Sequence, residues 1–161
     1  MQQLVGRRLP DVVLPSTLGG TVNLAQLQGR SVVYCYPYTG RPGVADPPGW
    51  DHIPGAHGST PQSLAYAKCY EAFRAKNMNV FGLSLQGHDW QVEFAGRANL
   101  PFALLSDADG LVSRKLMLPR FAAGDREFLA RLTLGIEQGV IVYCRNPVPH
   151  PETDATDSLA W

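Results

Sequence analysis

Cysteine is scarce in this 161-residue chain and forms no close pair: Cys35, Cys69 and Cys144 are the only three. That spacing excludes a disulfide scaffold, a CxxC redox centre and a cysteine zinc site. Charge of either sign is not in excess, since 14 Lys+Arg balance 14 Asp+Glu. A chain without a basic field does not collect phosphates, which excludes a dedicated nucleic-acid binder. Long apolar runs are missing too: nothing approaches the roughly 18 residues of a membrane span. Met1 to Arg8 is polar and basic, with no apolar stretch behind it to read as a signal peptide. The expectation is a cytoplasmic protein with no membrane contact. Glycine and proline, by contrast, are plentiful, at 16 and 13 residues.

With 45% hydrophobic and 17% charged residues, the chain has the composition of a packed domain. A length of 161 fits one domain over residues 1–161, with a real core. Leu9 to Leu27 reads as a hairpin or loop around the Gly19-Gly20 turn. Ser31–Tyr36 is a β-branched and aromatic run, expected as a central strand. Thr60–Lys76 has helical spacing, with Thr60 as cap and Pro61 in the first turn. Asn79–Ser84 and Phe102–Ser106 read as strands and Asp89–Ala98 as a helix, and the Asp107-Ala-Asp-Gly turn leads into a further helix through Leu116. Arg131–Ile136 and Val140–Cys144 form a closing hairpin across Glu137-Gln138-Gly139. Asn146–Asp157, rich in Pro and acidic residues, reads as a surface tail, and Ser158–Trp161 as either an apolar anchor or a frayed end. Strands alternating with helices before a hairpin predict a thioredoxin-like α/β three-layer sandwich around a mixed sheet.

The unusual segment is Thr39–Pro61, an insertion with five Gly and five Pro between a strand and a helix. Loops of that length are uncommon and usually functional or disordered. Trp50 and Ile53 argue for a pinned loop. It leaves the carboxyl end of a strand, where α/β proteins bind ligands, and ends at a helix N-terminus that favours anions and thiolates. The residue there is Ser59. Its hydroxyl is too weak an acid to ionise from such a field, and locally Ser59 and Thr60 read as capping residues. A Ser-His-Asp reading of Ser59, His57 and Asp51 lacks a G-x-S-x-G elbow. A metal reading of Asp51, His52 and His57 lacks a rigid element to converge them. Cys35 and Cys69 read as buried core thiols, while Cys144, at a strand end, is less enclosed. Arg131 opens an apolar strand, where a charge is costly unless it meets a polar site or solvent. If that strand lies beside Ser31–Tyr36, Arg131 reaches the Gly58–Pro61 helix start.

Leu9-Pro-Asp-Val-Val-Leu-Pro, Val32-Val-Tyr-Cys-Tyr-Pro37, Gly58-Ser-Thr-Pro-Gln-Ser, Val80-Phe-Gly-Leu-Ser, Leu104-Leu-Ser-Asp-Ala-Asp-Gly and Arg131-Leu-Thr-Leu together resemble a peroxiredoxin. The resemblance runs from about Val5 to Pro149 and is nearest the bacterioferritin-comigratory branch of the redoxins. It implies thiol-dependent reduction of hydrogen peroxide and organic hydroperoxides, with no metal or organic cofactor. It also implies a thioredoxin-like or small-thiol reductant and a homodimer as a candidate state. By the same resemblance, Ser59 falls at the peroxidatic cysteine and Arg131 at its arginine. Leu64 falls at the resolving cysteine, and Ala56 stands where the family carries a threonine. Thr39 is the displaced counterpart of that threonine.

The resemblance therefore implies a peroxidase scaffold without its reacting sulfur, and little or no peroxidase activity. A Cys→Ser replacement in an intact enzyme and natural divergence both fit Ser59, and the joint departures at Leu64 and Ala56 favour divergence. The competing expectation is a non-enzymatic module on the same fold that binds a small anion or senses redox state. A third is chemistry moved to Cys69 or Cys144.

Overall fold

One central sheet divides the apolar residues of the chain between its two faces, because successive strand side chains point to opposite sides. The computed structural model describes residues 3–161. Met1 and Gln2, which begin the polar Met1–Arg8 stretch, lie outside the described residues. The elements run β1 (Leu14–Pro15), β2 (Thr21–Val22), β3 (Arg30–Cys35), α1 (Ser59–Lys68), α2 (Tyr70–Ala75), β4 (Met78–Ser84), α3 (His88–Arg97), β5 (Ala103–Ser106) and α4 (Leu111–Leu116). They continue as β6 (Arg120–Ala123), β7 (Arg126–Leu129), β8 (Leu132–Glu137), β9 (Val140–Arg145) and α5 (Asp154–Leu159). The sheet order is β5-β4-β3-β8-β9. β3, β4 and β5 pair in parallel, whereas β8 runs antiparallel to β3 and to β9.

Val32, Tyr34, Val80 and Leu104 face one layer, where Tyr66 of α1, Phe73 of α2, Phe94 of α3 and Ala155 of α5 cover them. Val33, Cys35, Leu83, Leu105 and Leu134 face the other, covered by Val112 and Leu116 of α4 and by the N-terminal Leu9, Leu14 and Leu24. This is the three-layer α/β sandwich with a mixed sheet that the element order predicts. The β1–β2 hairpin turns at Gly19-Gly20 as expected. Among the described residues no helix is long and apolar enough to cross a membrane.

Three readings of the sequence are corrected, and one element that it left unmarked is added. The helix expected over Thr60–Lys76 starts at Ser59 and breaks at Cys69, whose backbone leaves helical geometry at φ −90°, ψ 1°. Past that turn Tyr70 reaches Phe102, at 6.0 Å, while Phe73 stacks on Tyr66. Thr60 is not the cap; Gly58 is, at φ +119°. Only glycine fits, because a Cβ there would stand 2.7 Å from Pro151 Cγ. The stretch after Leu116 holds an unexpected hairpin, β6–β7. Finally, the acidic tail folds into α5, with Asp154, Ala155 and Ser158 buried.

Of the two fates open to Ser158–Trp161, docking is the one observed. The Arg30 guanidinium lies 4.4 Å from the Trp161 ring centroid and donates to the Trp161 carbonyl at 2.8 Å.

One row across the sheet sets up the site. Leu104, Gly82, Tyr34, Thr133 and Arg145 are successive cross-strand partners. Gly82 leaves the space that the Tyr34 ring fills: a Cβ there would approach Leu104 Cδ2 to 2.5 Å and Tyr34 Cζ to 2.9 Å. Overpacking of this kind costs about 1–3 kcal/mol. Gly82→Ala is therefore expected to lower the denaturant midpoint by that amount of stability; an unchanged midpoint would show that the row has slack.

Candidate functional site

Residues 39–58 are held by aromatic packing. Trp50 lies edge-on to Tyr38 at 5.3 Å and to Phe128 at 4.9 Å, with Phe121 at 5.7 Å. Phe121 and Phe128 come from the β6–β7 hairpin, so the element that the sequence hid is the one the loop docks on. Ile53 packs against the same cluster. Beside it opens a cavity of about 490 Å³ whose walls include Tyr38, Trp50, His57, Ser59, Pro61 and Pro151.

Ser59 is the first helical residue of α1 and is buried at 2% exposure. The first bond of the helix runs from the Gln62 N–H to the Gly58 carbonyl, which leaves the Ser59 and Thr60 amides without a helical partner. Arg131 immediately precedes β8, which pairs with β3 so that Leu132 stands opposite Cys35. Its guanidinium crosses to the helix start. Nη1 donates to Ser59 Oγ at 3.1 Å and to Gln62 Oε1 at 2.6 Å. Nη2 donates to the carbonyls of Gly55, Ala56 and His57 at 3.1–3.4 Å. Burial pushes this guanidinium down to about 10, an effect that the nearby Asp154 charge partly offsets. It remains a cation at neutral pH.

The other sequence candidates are distributed differently. Thr39 is buried, but its hydroxyl donates to Gln86 Oε1 at 3.1 Å, and no hydrogen bond joins it to Ser59 or Arg131 among the described residues. Ala56 is buried in the aromatic cluster, and Leu64 is exposed on α1. Cys35 is fully buried, and burial raises its thiol far above the usual range. Cys69 is half-buried at the α1–α2 break rather than enclosed, and Cys144 is half-buried with its thiol also raised by burial.

The His57 ring and Asp51 meet at 2.6 Å, but both are exposed, and Ser59 bonds to Arg131 instead of His57. A Ser-His-Asp relay is not assembled. The trio Asp51, His52 and His57 is not what converges either: Asp46 joins Asp51 and His57, with ligand atoms within 4.8 Å, all exposed.

Two residues that the sequence left unmarked complete the site. Gln62 lies one helical turn after Ser59, a spacing that would have brought it to notice. Asp154, fully buried, sits in a stretch that reads as tail, and no local pattern announces it.

The chain resembles known proteins over most of its length. A family model described as Redoxin matches residues 4–159. The chloroplastic peroxiredoxin Q of Oryza sativa subsp. japonica is 30% identical over 156 residues, which cover 96% of this chain and 64% of the rice protein. The chain thus spans less than two thirds of that relative's length. Among solved structures, peroxidoxin BcpB of Mycobacterium tuberculosis superposes with a TM-score of 0.77 at 20% identity, covering 99% of this chain and 96% of that one. A Cys→Ser mutant of Xylella fastidiosa PrxQ gives 0.79 at 18% identity, covering 99% and 95%. The fold is thioredoxin-like, and the chain belongs to the redoxin family.

Two outcomes are expected from this geometry. Arg131→Met leaves Gln62 Oε1 and the loop carbonyls without their donor, a loss of about 1–3 kcal/mol for each buried polar group left unsatisfied. Amide exchange over residues 55–62 should accelerate well before the rest of the fold. Iodoacetamide at pH 8 should spare Cys35 in the folded protein and modify it once denatured; native modification of Cys35 would contradict its burial.

Proposed function

We propose that this chain carries the peroxide pocket of a peroxiredoxin with Ser59 at the peroxidatic position, and that it has little or no peroxidase activity as it stands. The observation that supports this most is the Arg131 Nη1 contact with Ser59 Oγ at the first turn of α1. In a thiol peroxidase the sulfur anion attacks one peroxide oxygen. An S–O bond forms as the O–O bond breaks, the second oxygen leaves as alkoxide or hydroxide and takes up a proton, and the sulfur becomes a sulfenic acid. A second thiol then reduces it. An arginine and free amides at a helix start lower a thiol pKa and stabilise the departing oxygen. The same field acts on Ser59, but oxygen has no sulfenic rung to climb. With sulfur restored, hydrogen peroxide or an organic hydroperoxide is the substrate and a thioredoxin-like or small thiol the reductant. Leu64 then supplies no resolving thiol, so reduction comes from outside the chain.

A second reading has its own support. Among the described residues, every oxygen in hydrogen-bond contact with Arg131 belongs to a neutral group, so no touching carboxylate cancels its charge. That suits retention of a small anion without chemistry.

Ser59→Cys tests both. The parent should consume no peroxide, and Ser59→Cys should raise the second-order rate by about 100-fold or more, because the thiolate is the missing nucleophile. Rapid consumption by the parent with Cys69 and Cys144 blocked would overturn the inactive reading. An inert Ser59→Cys protein that binds phosphate or acetate calorimetrically would favour the anion reading.

A further inference from the structure

We propose that Asp154, on the C-terminal helix, is the positioning residue of the Ser59–Arg131 pair, acting through the side-chain amide of Gln62. The inference rests on the reading that this pair is the functional centre.

The chain of contacts has a forced direction. Asp154 Oδ2 accepts from Gln62 Nε2 at 3.0 Å, Tyr66 OH at 2.7 Å and Thr133 Oγ1 at 2.6 Å. Its Oδ1 is ion-paired with Arg145 Nη1. A carboxylate only accepts and a guanidinium only donates. Gln62 lies between the two, so its nitrogen must face Asp154 and its oxygen must face Arg131. No other orientation of that amide satisfies both neighbours. With Gln62 Oε1 locked in place, Arg131 Nη1 is held at 2.6 Å from it, and its other contact falls on Ser59 Oγ.

Asp154 is itself fixed on three sides. Thr133 and Arg145 are cross-strand partners on β8 and β9, so the sheet presents two donors side by side. Tyr66 comes from α1, one turn past Gln62, and its ring stacks on Tyr34 at 4.5 Å. Asp154 is completely buried, and the helix it opens follows Pro151 and Glu152, which line the cavity. The C-terminal segment therefore supplies both a wall of the pocket and the group that orients its arginine. No such part can be read from local sequence.

Asp154→Asn keeps the shape and replaces an acceptor-only group with one that also donates, so Gln62 is free to turn over. The compensating change Gln62→Glu, made on top of it, places a carboxylate between two donors: the bond to position 154 is reversed, and an acceptor again faces Arg131. Two measurements decide the matter. In the Ser59 chain, the Arg131 guanidinium protons, followed by nitrogen-15 NMR and assigned by their loss in Arg131→Met, should exchange at least ~10-fold faster in Asp154→Asn and recover in the double variant. Unchanged exchange in a folded Asp154→Asn protein overturns the proposal, as does failure of the double variant to recover.

The second measurement uses the Ser59→Cys background, with the alkylation rate of the thiol at position 59 followed against pH by mass spectrometry. Loss of a negative charge alone would lower that thiol pKa; loss of Arg131 alignment raises it, by an expected unit or so. A fall or no change overturns the proposal. If the thiol at 59 titrates like a free cysteine with Asp154 intact, the peroxidatic reading fails instead, and the NMR result still decides the role of Asp154.

Discussion

The arrangement of this protein depends on one buried cation. Taking a guanidinium out of water costs several kcal/mol unless it is fully provided with acceptors. Arg131 meets five oxygens, from Ser59, Gln62, Gly55, Ala56 and His57. Those oxygens come from the end of the long loop and the first turn of α1, while Arg131 itself stands at the start of β8. Two segments about 70 residues apart in sequence, 55–62 and the start of β8, are joined at one side chain. The planar five-donor geometry of arginine makes this feasible where lysine, with a compact ammonium, would not span the same set.

Around that cation the fold supplies rigidity from two directions. The aromatic cluster of Tyr38, Trp50, Phe121 and Phe128 holds the loop from the cavity side. The row Leu104, Gly82, Tyr34, Thr133 and Arg145 holds the floor from the sheet side. Gly82 is small so that Tyr34 can be large, and Tyr34 donates to Ser63 Oγ at 2.9 Å while stacking on Tyr66. The face of α1 that carries Gln62, Ser63 and Tyr66 is thus polar where it meets the sheet, yet every one of these groups has a partner. A polar interior of this kind specifies one packing of helix on sheet more sharply than an apolar face does.

Much of this was legible in the sequence, and the limits have physical causes. Short β-branched and aromatic runs marked β3, β4, β8 and β9, and turn residues marked the hairpins at Gly19-Gly20 and Gly139, so the sandwich followed. Arg131 was readable because a charge in an apolar strand breaks a local rule, whereas Ser59, locally a capping residue, was marked by the family resemblance and by the long loop that ends on it. Gly58 as the cap was hidden, since part of what requires glycine there is the close approach of Pro151, a residue far along the chain. β6–β7 was hidden because its strands are four residues each, with Arg120, Glu127 and Arg126 diluting the alternation. Thr39 looked like a site residue as the displaced counterpart of the family's threonine, but Gln86, 47 positions away, takes its hydroxyl. Asp154 belongs to the same class: its meaning comes entirely from partners at long range.

The identity of residue 59 separates two functions that a pocket of this type combines in one place. Recognition depends on donors aimed at an oxygen: the Arg131 guanidinium and the amides of Ser59 and Thr60 at the start of α1. None of these depends on which atom sits at the side-chain tip, so exchanging sulfur for oxygen leaves the donor field in place. Reaction depends on an electron pair that becomes available near neutral pH and on an atom able to carry an added oxygen and then release it. A thiolate meets both conditions, and a serine hydroxyl meets neither. On the proposed reading, the scaffold therefore retains the Arg131 and helix-start donors that would bind a peroxide or another small oxyanion, while the threonine hydroxyl beside them and the step that consumes the peroxide are missing. On that reading, whatever reaches those donors must first fit the cavity lined by Tyr38, Trp50 and Pro151.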